Sequence, residues 1–189
     1  AITANRPDGL SMVGIAREIA ALKKVKTTLP ILDFNRNFEL FKPIISSKLK
    51  NDIFTYTISY IENVNGGIKS PFYLSQRLIN LGFKSLNAIV DITNYLMIEQ
   101  GQPLHAFDAD SLEKIVGRKV SQDDFGIRNA TQGEMFHALD NKKYQLTEKS
   151  CVVTCSDIPI ALAGVIGGYE SSVNTNTTKI WLESAVFAP

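Results

Sequence analysis

Apolar and polar positions recur along this chain with two different periods, and the switch from one to the other marks out its elements. From Met12 to Leu22 the apolar residues Val13, Ile15, Ala16, Ile19, Ala20 and Leu22 fall on one broad helical face. Ser11 stands where an N-cap belongs, after the turn chemistry of Thr3-Ala-Asn5-Arg-Pro7-Asp-Gly9. Lys23, Lys24 and Lys26 place positive charge where a helix C-terminus favours it. Residues 27–50, with Pro30 and Pro43 among polar clusters and short apolar runs, read as a connector with a domain boundary near 40–50. The run Ile53-Phe-Thr-Tyr-Thr-Ile-Ser-Tyr-Ile-Glu62 is β-branched and aromatic and predicts a strand closed by Asn65-Gly66-Gly67. Ser70-Pro71 then opens a helix whose buried stripe is Leu74, Leu78, Ile79 and Leu81, with Gly82 at its end. Residues 86–98 are mostly apolar but enclose Asp91, Thr93 and Asn94, which implies either a polar network or a site.

Beyond Gly101-Gln-Pro103 the chain turns and presents Leu104-His105-Ala-Phe107-Asp108. Residues 112–160 read as all-β, with strands expected at 113–120, 125–130, 142–146 and 150–155. Pro159 to Gly168 reads as a buried strand breaking into a glycine turn, and residues 179–187 as a last strand carrying one acid, Glu183.

Composition narrows the class without naming a function. The 189 residues are 44% hydrophobic and 21% charged, ordinary for a globular protein. A net charge of +1 means that an RNA ligand would have to be held by local patches rather than by a basic global field. Cys151 and Cys155, in an apolar strand and without a second ligand pair, read as two buried thiols in a reducing compartment. No apolar run approaches the roughly 20 residues of a membrane span. No signal-peptide pattern opens the chain, and its start at Ala1 suggests a piece of something longer.

Four features could carry chemistry. His105 could bind a phosphate or ribose oxygen or orient a water, or be a structural histidine bonded to backbone. His137, inside a β-stretch, warrants only the structural reading. Glu183, at the end of Ile180-Trp-Leu, either faces a cleft or sits at a partly exposed strand end, because a carboxylate there is costly unless paired. Gly164-Val-Ile-Gly167-Gly168 could offer backbone N–H groups or be a tight turn. Thr93-Asn94-Tyr95 could line a pocket or satisfy its own polar groups. The chain has no nucleophile elbow, zinc-protease helix, phosphate loop or dinucleotide fingerprint. The residues by themselves describe an α+β domain with a polar cleft.

Several separate blocks, in order, resemble the beta subunit of bacterial phenylalanyl-tRNA synthetase. Asn5-Arg-Pro-Asp8 through Arg17-Glu18 is similar to its N-R-x-D-x-L-S-x-x-G-x-A-R-E segment, and Ser70-Pro71 through Gly82 to its S-P-x-W-L-x-x-R-L helix, with Tyr73 replacing tryptophan. The most specific block runs from Asn87 through Asp91, Thr93-Asn94-Tyr95 and Gly101-Gln-Pro-Leu-His105 to Asp108. Ala161-Leu-Ala163-Gly164 to Gly168, and Leu182-Glu183-Ser-Ala-Val-Phe187, complete the set. The resemblance implies the central B3/B4 editing region, which removes tyrosine mistakenly attached to the phenylalanine tRNA. It implies that His105, Thr93, Ala163, Gly164 and Glu183 line the pocket. Glu183 would accept the tyrosine hydroxyl, Ala163 and Gly164 would make room for the ring, and His105 and Thr93 would lie toward the ester.

The resemblance also implies residues 1–49 as the tail of a preceding domain plus connector. Residues 50–189 would then be the editing domain, cut short at its C-terminus, with a smaller β-rich module at about 112–160 and the cleft between the modules. The expected fold class is α+β, a mixed sheet with flanking helices. Expected partners are the aminoacylated 3′ end of tRNA and a catalytic alpha subunit in a heterotetramer, with no membrane or DNA, in the cytoplasm or an organelle. ATP and magnesium are expected for the whole synthetase, and no cofactor or metal for this region. The alternative is a tRNA-docking module without hydrolytic activity.

Overall fold

The computed structural model describes residues 6–28, 44–45 and 53–187. The turn expected at residues 3–5 and most of the connector, including the boundary placed near 40–50, lie outside the described residues.

Helix α1 (Met12–Lys23) begins where Ser11 predicts, the Gly14 N–H donating to Ser11 Oγ at 3.0 Å. Its apolar face is not covered as its periodicity suggests. Gly14 and Ala20 are buried, while Ile19 and Leu22 stand exposed. Strand β1 (Ile44–Ile45) precedes β2 (Ile53–Glu62), which has the expected limits. In α2 (Phe72–Asn80) the buried stripe is narrower than expected: Leu74 and Leu78 are enclosed, but Ile79 and Leu81 face outward.

Helix α3 (Ala88–Gln100) is capped by Asn87, whose side chain accepts from the Val90 N–H. Its buried Asp91 resolves the polar cluster of residues 86–98 as a network. Asp91 Oδ2 accepts from Ser70 Oγ at 2.6 Å and Ser85 Oγ at 2.5 Å, and Oδ1 accepts from the Leu86 N–H at 2.9 Å. The network ties the entries of α2 and α3 together and satisfies a carboxylate that would be costly to enclose alone.

Leu104–Asp108 is strand β3 rather than the expected turn, since Gly101 and Pro103 complete the reversal before it. The strand expected over 113–120 is replaced by α4 (Ala109–Val116). Asp108 caps this helix, Oδ1 accepting from the Ser111 N–H at 2.6 Å, and Ala109, Leu112, Ile115 and Val116 recur at helical spacing against the core. Gly117 then stops it at φ 80°. The β-branched pair Ile115-Val116 is strand-like only when read without that cap.

The remaining strands are β4 (Phe125–Asn129), β5 (Met135–His137), β6 (Lys143–Gln145), β7 (Cys151–Cys155), β8 (Ile158–Leu162), β9 (Ile166–Gly167) and β10 (Lys179–Phe187). Of these, β5 and β9 were not expected, Ile166–Gly167 having read as part of the glycine turn. Two sheets carry the fold, with β5 and β6 as a separate hairpin. One sheet is antiparallel in the order β2-β10-β3. The other runs β1-β4-β7-β8-β9, with β1 parallel to β4 and the other pairs antiparallel. This is the α+β architecture the sequence implies.

The sheets share one core: Tyr56 and Ile58 of β2, Phe107 of β3 and Trp181 of β10 pack against Phe125, Ile127, Val153 and Ile160. A file of aromatic rings crosses this core, from Tyr60 through Trp181, Phe125 and Phe107 to His105. Cys155 is enclosed, with its thiol pushed up to about 12 by burial, and Cys151 is half-buried.

Candidate functional site

Side chains alternate across a strand, so Trp181, Glu183, Ala185 and Phe187 share one face of β10. In the antiparallel register, His105 lies directly opposite Glu183 and Phe107 opposite Trp181. On the other flank Tyr56 lies opposite Ala185 and Ile58 opposite Glu183. This face looks toward the second sheet. Where the two separate, a cavity of about 600 Å³ opens. Its walls are the C-terminal end of α3 and the turn after it (Met97, Gly101–Pro103), the paired edges of β3 and β10, and the β8–β9 hairpin. A volume of this order lies within the range of small-molecule sites.

Glu183 is 8% exposed at the floor of this cavity. The Tyr56 hydroxyl donates to its Oε2 at 2.9 Å. Burial pushes the carboxyl up to about 7, the Tyr56 hydrogen bond opposing that rise. Tyr56 itself, 1% exposed and beside this acid, is held well above the ordinary phenol range, chiefly by burial. His105 sits edge-on to Phe107 with ring centroids 4.6 Å apart. Burial drops its imidazole to about 4, so at neutral pH the ring is uncharged and one of its nitrogens is an acceptor. Its Nε2 is enclosed and has no hydrogen-bond partner among the described residues.

The hairpin roof explains why glycine stands at two positions. Gly164 has φ +69°, a left-handed conformation that a side chain would strain, and a Cβ there would meet the Phe187 ring at 3.3 Å. At Gly167 a Cβ would lie 2.4 Å from His105 Cε1 and 2.5 Å from Nε2, so the imidazole occupies the volume of the missing side chain.

Of the residues singled out from the sequence, His105, Gly164 and Glu183 come together on the cavity wall. Thr93 and Ala163 do not line it. Thr93 Oγ1 donates to the Val90 carbonyl at 2.8 Å within α3, and Ala163 gives its N–H to Cys151 while its side chain packs on the core. Nor do Thr93, Asn94 and Tyr95 satisfy one another: the Tyr95 hydroxyl bonds with Arg77 and Glu99. His137 is stacked on Tyr169 at 4.5 Å and hydrogen-bonded to Glu170 and Asn141. Gly167, from the glycine turn singled out in the sequence, joins His105, Gly164 and Glu183 on the wall, and Tyr56 is the residue that sequence reasoning missed. The alternation of Tyr56 and Ile58 marks a buried face, but the register that sets Tyr56 beside Glu183 is not written in either strand alone.

One carboxylate and one imidazole do not fit magnesium with nucleotide phosphates, which require several oxygen ligands and clustered phosphate donors. Among the described residues no group of three or more His, Cys, Asp or Glu side chains could hold a metal, and no helix is long and apolar enough to cross a membrane.

The opposed shifts of Glu183 and His105 give a stability signature. Glu183 is raised from 4.5 to about 7, so its contribution is fully present below 4.5 and is lost as pH rises through 7. His105 is lowered from 6.5 to about 4, so its contribution is present above 6.5 and is lost as pH falls through 4. Relative to the unsubstituted protein, Glu183→Gln should gain stability as pH rises from 4.5 to 7. His105→Phe should gain as pH falls from 6.5 to 4, each with a slope of up to about 1.4 kcal/mol per pH unit. Urea unfolding across this range measures both; parallel pH profiles for variants and parent would contradict the burial of the pair.

Comparison with known proteins agrees with this architecture. The family model described as the B3/4 domain matches residues 53–189. The chain is 54% identical, over 190 aligned residues, to the phenylalanine--tRNA ligase beta subunit of Prochlorococcus marinus (strain NATL2A), with all of this chain and 23% of that protein covered. It is 52% identical to the beta subunit of Parasynechococcus marenigrum (strain WH8102), again with 100% and 23% covered. The chain therefore spans about a quarter of the length of these curated relatives. Among solved structures, an N-terminal fragment of the phenylalanyl-tRNA synthetase beta subunit from Pyrococcus horikoshii shares the fold with a TM-score of 0.51 at 15% identity, covering 96% of this chain and 52% of that one. By its sequence match and its fold, the chain belongs to the B3/4 domain family.

Proposed function

We propose that this domain, as part of a phenylalanine--tRNA ligase beta subunit, hydrolyses tyrosyl-tRNA(Phe) and selects its substrate by the tyrosine hydroxyl. The observation that carries this reading is the floor of the cavity: a buried carboxylate that already accepts a phenol O–H at 2.9 Å, directly across the strand pair from a neutral, partly unsatisfied imidazole. A phenylalanyl side chain in the same place would leave a buried polar group unpaired. A site built around such a group rejects the analogue lacking the hydroxyl by about 10⁴–10⁵.

An aminoacyl ester is already activated, so a positioned water suffices to add to its carbonyl, with tyrosine and the tRNA 3′ end leaving as products. His105, uncharged at neutral pH, accepts a hydrogen bond from that water or from the terminal ribose and places it. Its low basicity makes it a positioning group more than a proton store. The glycine hairpin of residues 164–167 roofs the cavity, and Gly167 makes room there for the His105 ring. The partners of this reading are the 3′ end of the tRNA and the catalytic alpha subunit, while ATP and magnesium belong to the aminoacylating part of the synthetase.

Deacylation of tyrosyl-tRNA(Phe) and phenylalanyl-tRNA(Phe), by this chain and by the longer subunit, tests the proposal. The tyrosyl ester should be hydrolysed at least about 10²-fold faster. Equal rates, or none from the folded subunit, would reduce the domain to a tRNA-docking module.

A further inference from the structure

Tyr56 is the buried residue whose hydroxyl stands against the Glu183 carboxyl. Its ring is fixed in the shared core beside Ile58 and Phe125, so its hydroxyl is a rigid donor. It holds one oxygen of Glu183, Oε2. The other oxygen, Oε1, has no hydrogen bond among the described residues and is not fully enclosed, and Glu183 lines the cavity. We infer that Tyr56 is a specificity-determining positioning residue, whose hydroxyl locks the Glu183 carboxylate with Oε1 presented to the cavity as the acceptor for a substrate phenol. The inference rests on the editing reading above.

Two physical arguments support it. A carboxylate at the end of a three-bond side chain needs a partner to fix its orientation, and a preorganised acceptor discriminates better than one that must be ordered by each substrate. A phenol on a carboxylate is also the contact the substrate itself would make, so Glu183 would stand between two phenols, one built in and one brought by the ligand.

The charge state follows the same geometry. Burial favours the protonated carboxyl, and the Tyr56 hydrogen bond is the force holding it toward the ionised acceptor form. The titratable groups around it are His105 on β3, Tyr56 on β2 and, behind Tyr56, Cys155 on β7. The hairpin roof and the end of α3 contribute no titratable group to the lining.

The test is Tyr56→Phe in the longer subunit, with deacylation of both esters followed between pH 6 and 9 and corrected for spontaneous hydrolysis. Tyr56→Phe keeps every ring carbon of the core. Selectivity for the tyrosyl ester should fall about 10-fold at neutral pH, with the phenylalanyl rate little changed. The pH at which selectivity is half-developed should move upward, because burial is then unopposed at Glu183. In a double-mutant cycle, Tyr56→Phe added to Glu183→Ala should change nothing further, since Tyr56 acts through that side chain. Unchanged selectivity and pH midpoint in Tyr56→Phe, or additive losses in the cycle, would overturn the assignment of Tyr56 alone. A parent subunit that does not distinguish the two esters would instead overturn the editing reading and, with it, the substrate assigned here.

Discussion

His105→Ala should slow hydrolysis of tyrosyl-tRNA by roughly 10²-fold or more, in kcat rather than KM. The split follows from where the side chain lies. In the proposed editing reading, affinity for the aromatic group resides at Glu183 and the apolar walls, whereas His105 lines the cavity from the neighbouring strand. Its backbone is paired with β10 in the middle of the sheet, so truncation removes the imidazole without releasing the strand. His105→Phe is the companion measurement, since it keeps the contact with Phe107 and fills the space beside Gly167 but has no nitrogen. Loss of rate in both variants assigns the effect to the nitrogens, and loss in the alanine variant alone assigns it to packing. Because the ring titrates near 4, its protonation should not bend the rate profile between pH 6 and 8. Parental rates in both variants would remove His105 from the chemistry.

Much of the scaffold behind this site was legible in the residues. Ser11 carries the side-chain chemistry of a helix cap, and Ile53–Glu62 and Lys179–Phe187 have the composition of strands, because these signals are local. The failures share one cause: tertiary contact decided between local alternatives. Ile115 and Val116 have strand propensity, yet the Asp108 cap and the fit of Leu112 into the core make their segment a helix. Met135–His137 is too short to signal a strand and becomes one by pairing with Lys143–Gln145.

The candidate site divides in the same way. Glu183 was conspicuous because an acid closes an apolar run, and His105 because histidine is rare in this chain. Thr93 rests on the motif alone: its hydroxyl bonds to the Val90 carbonyl within α3, and the cavity around Glu183 is lined without it. Tyr56 shows the converse. It is an unremarked member of a strand until the register of β2 on β10 sets its hydroxyl on Glu183 from 127 residues away.

Glu183→Ala should erase most of the preference for tyrosyl over phenylalanyl ester, lowering the ratio of their kcat/KM values by roughly 10³-fold. Two changes add to this. The tyrosyl ester loses a hydrogen bond to a carboxylate, worth about 1.5–3 kcal/mol. The phenylalanyl ester gains because its binding no longer strands a buried polar group, so its own hydrolysis should rise. That rise separates a recognition residue from a catalytic one, since removal of a catalytic group slows both esters together. Glu183→Gln should fall between the parent and the alanine variant. Its amide oxygen still accepts a hydrogen bond, but it cannot ionise, so selectivity should no longer climb as pH passes through about 7. Competition between the two esters in one tube, followed across that pH range, measures ratio and slope together. A ratio that survives Glu183→Ala would mean that the hydroxyl is read elsewhere on the wall, and the selectivity assigned to this carboxylate would have to be given up.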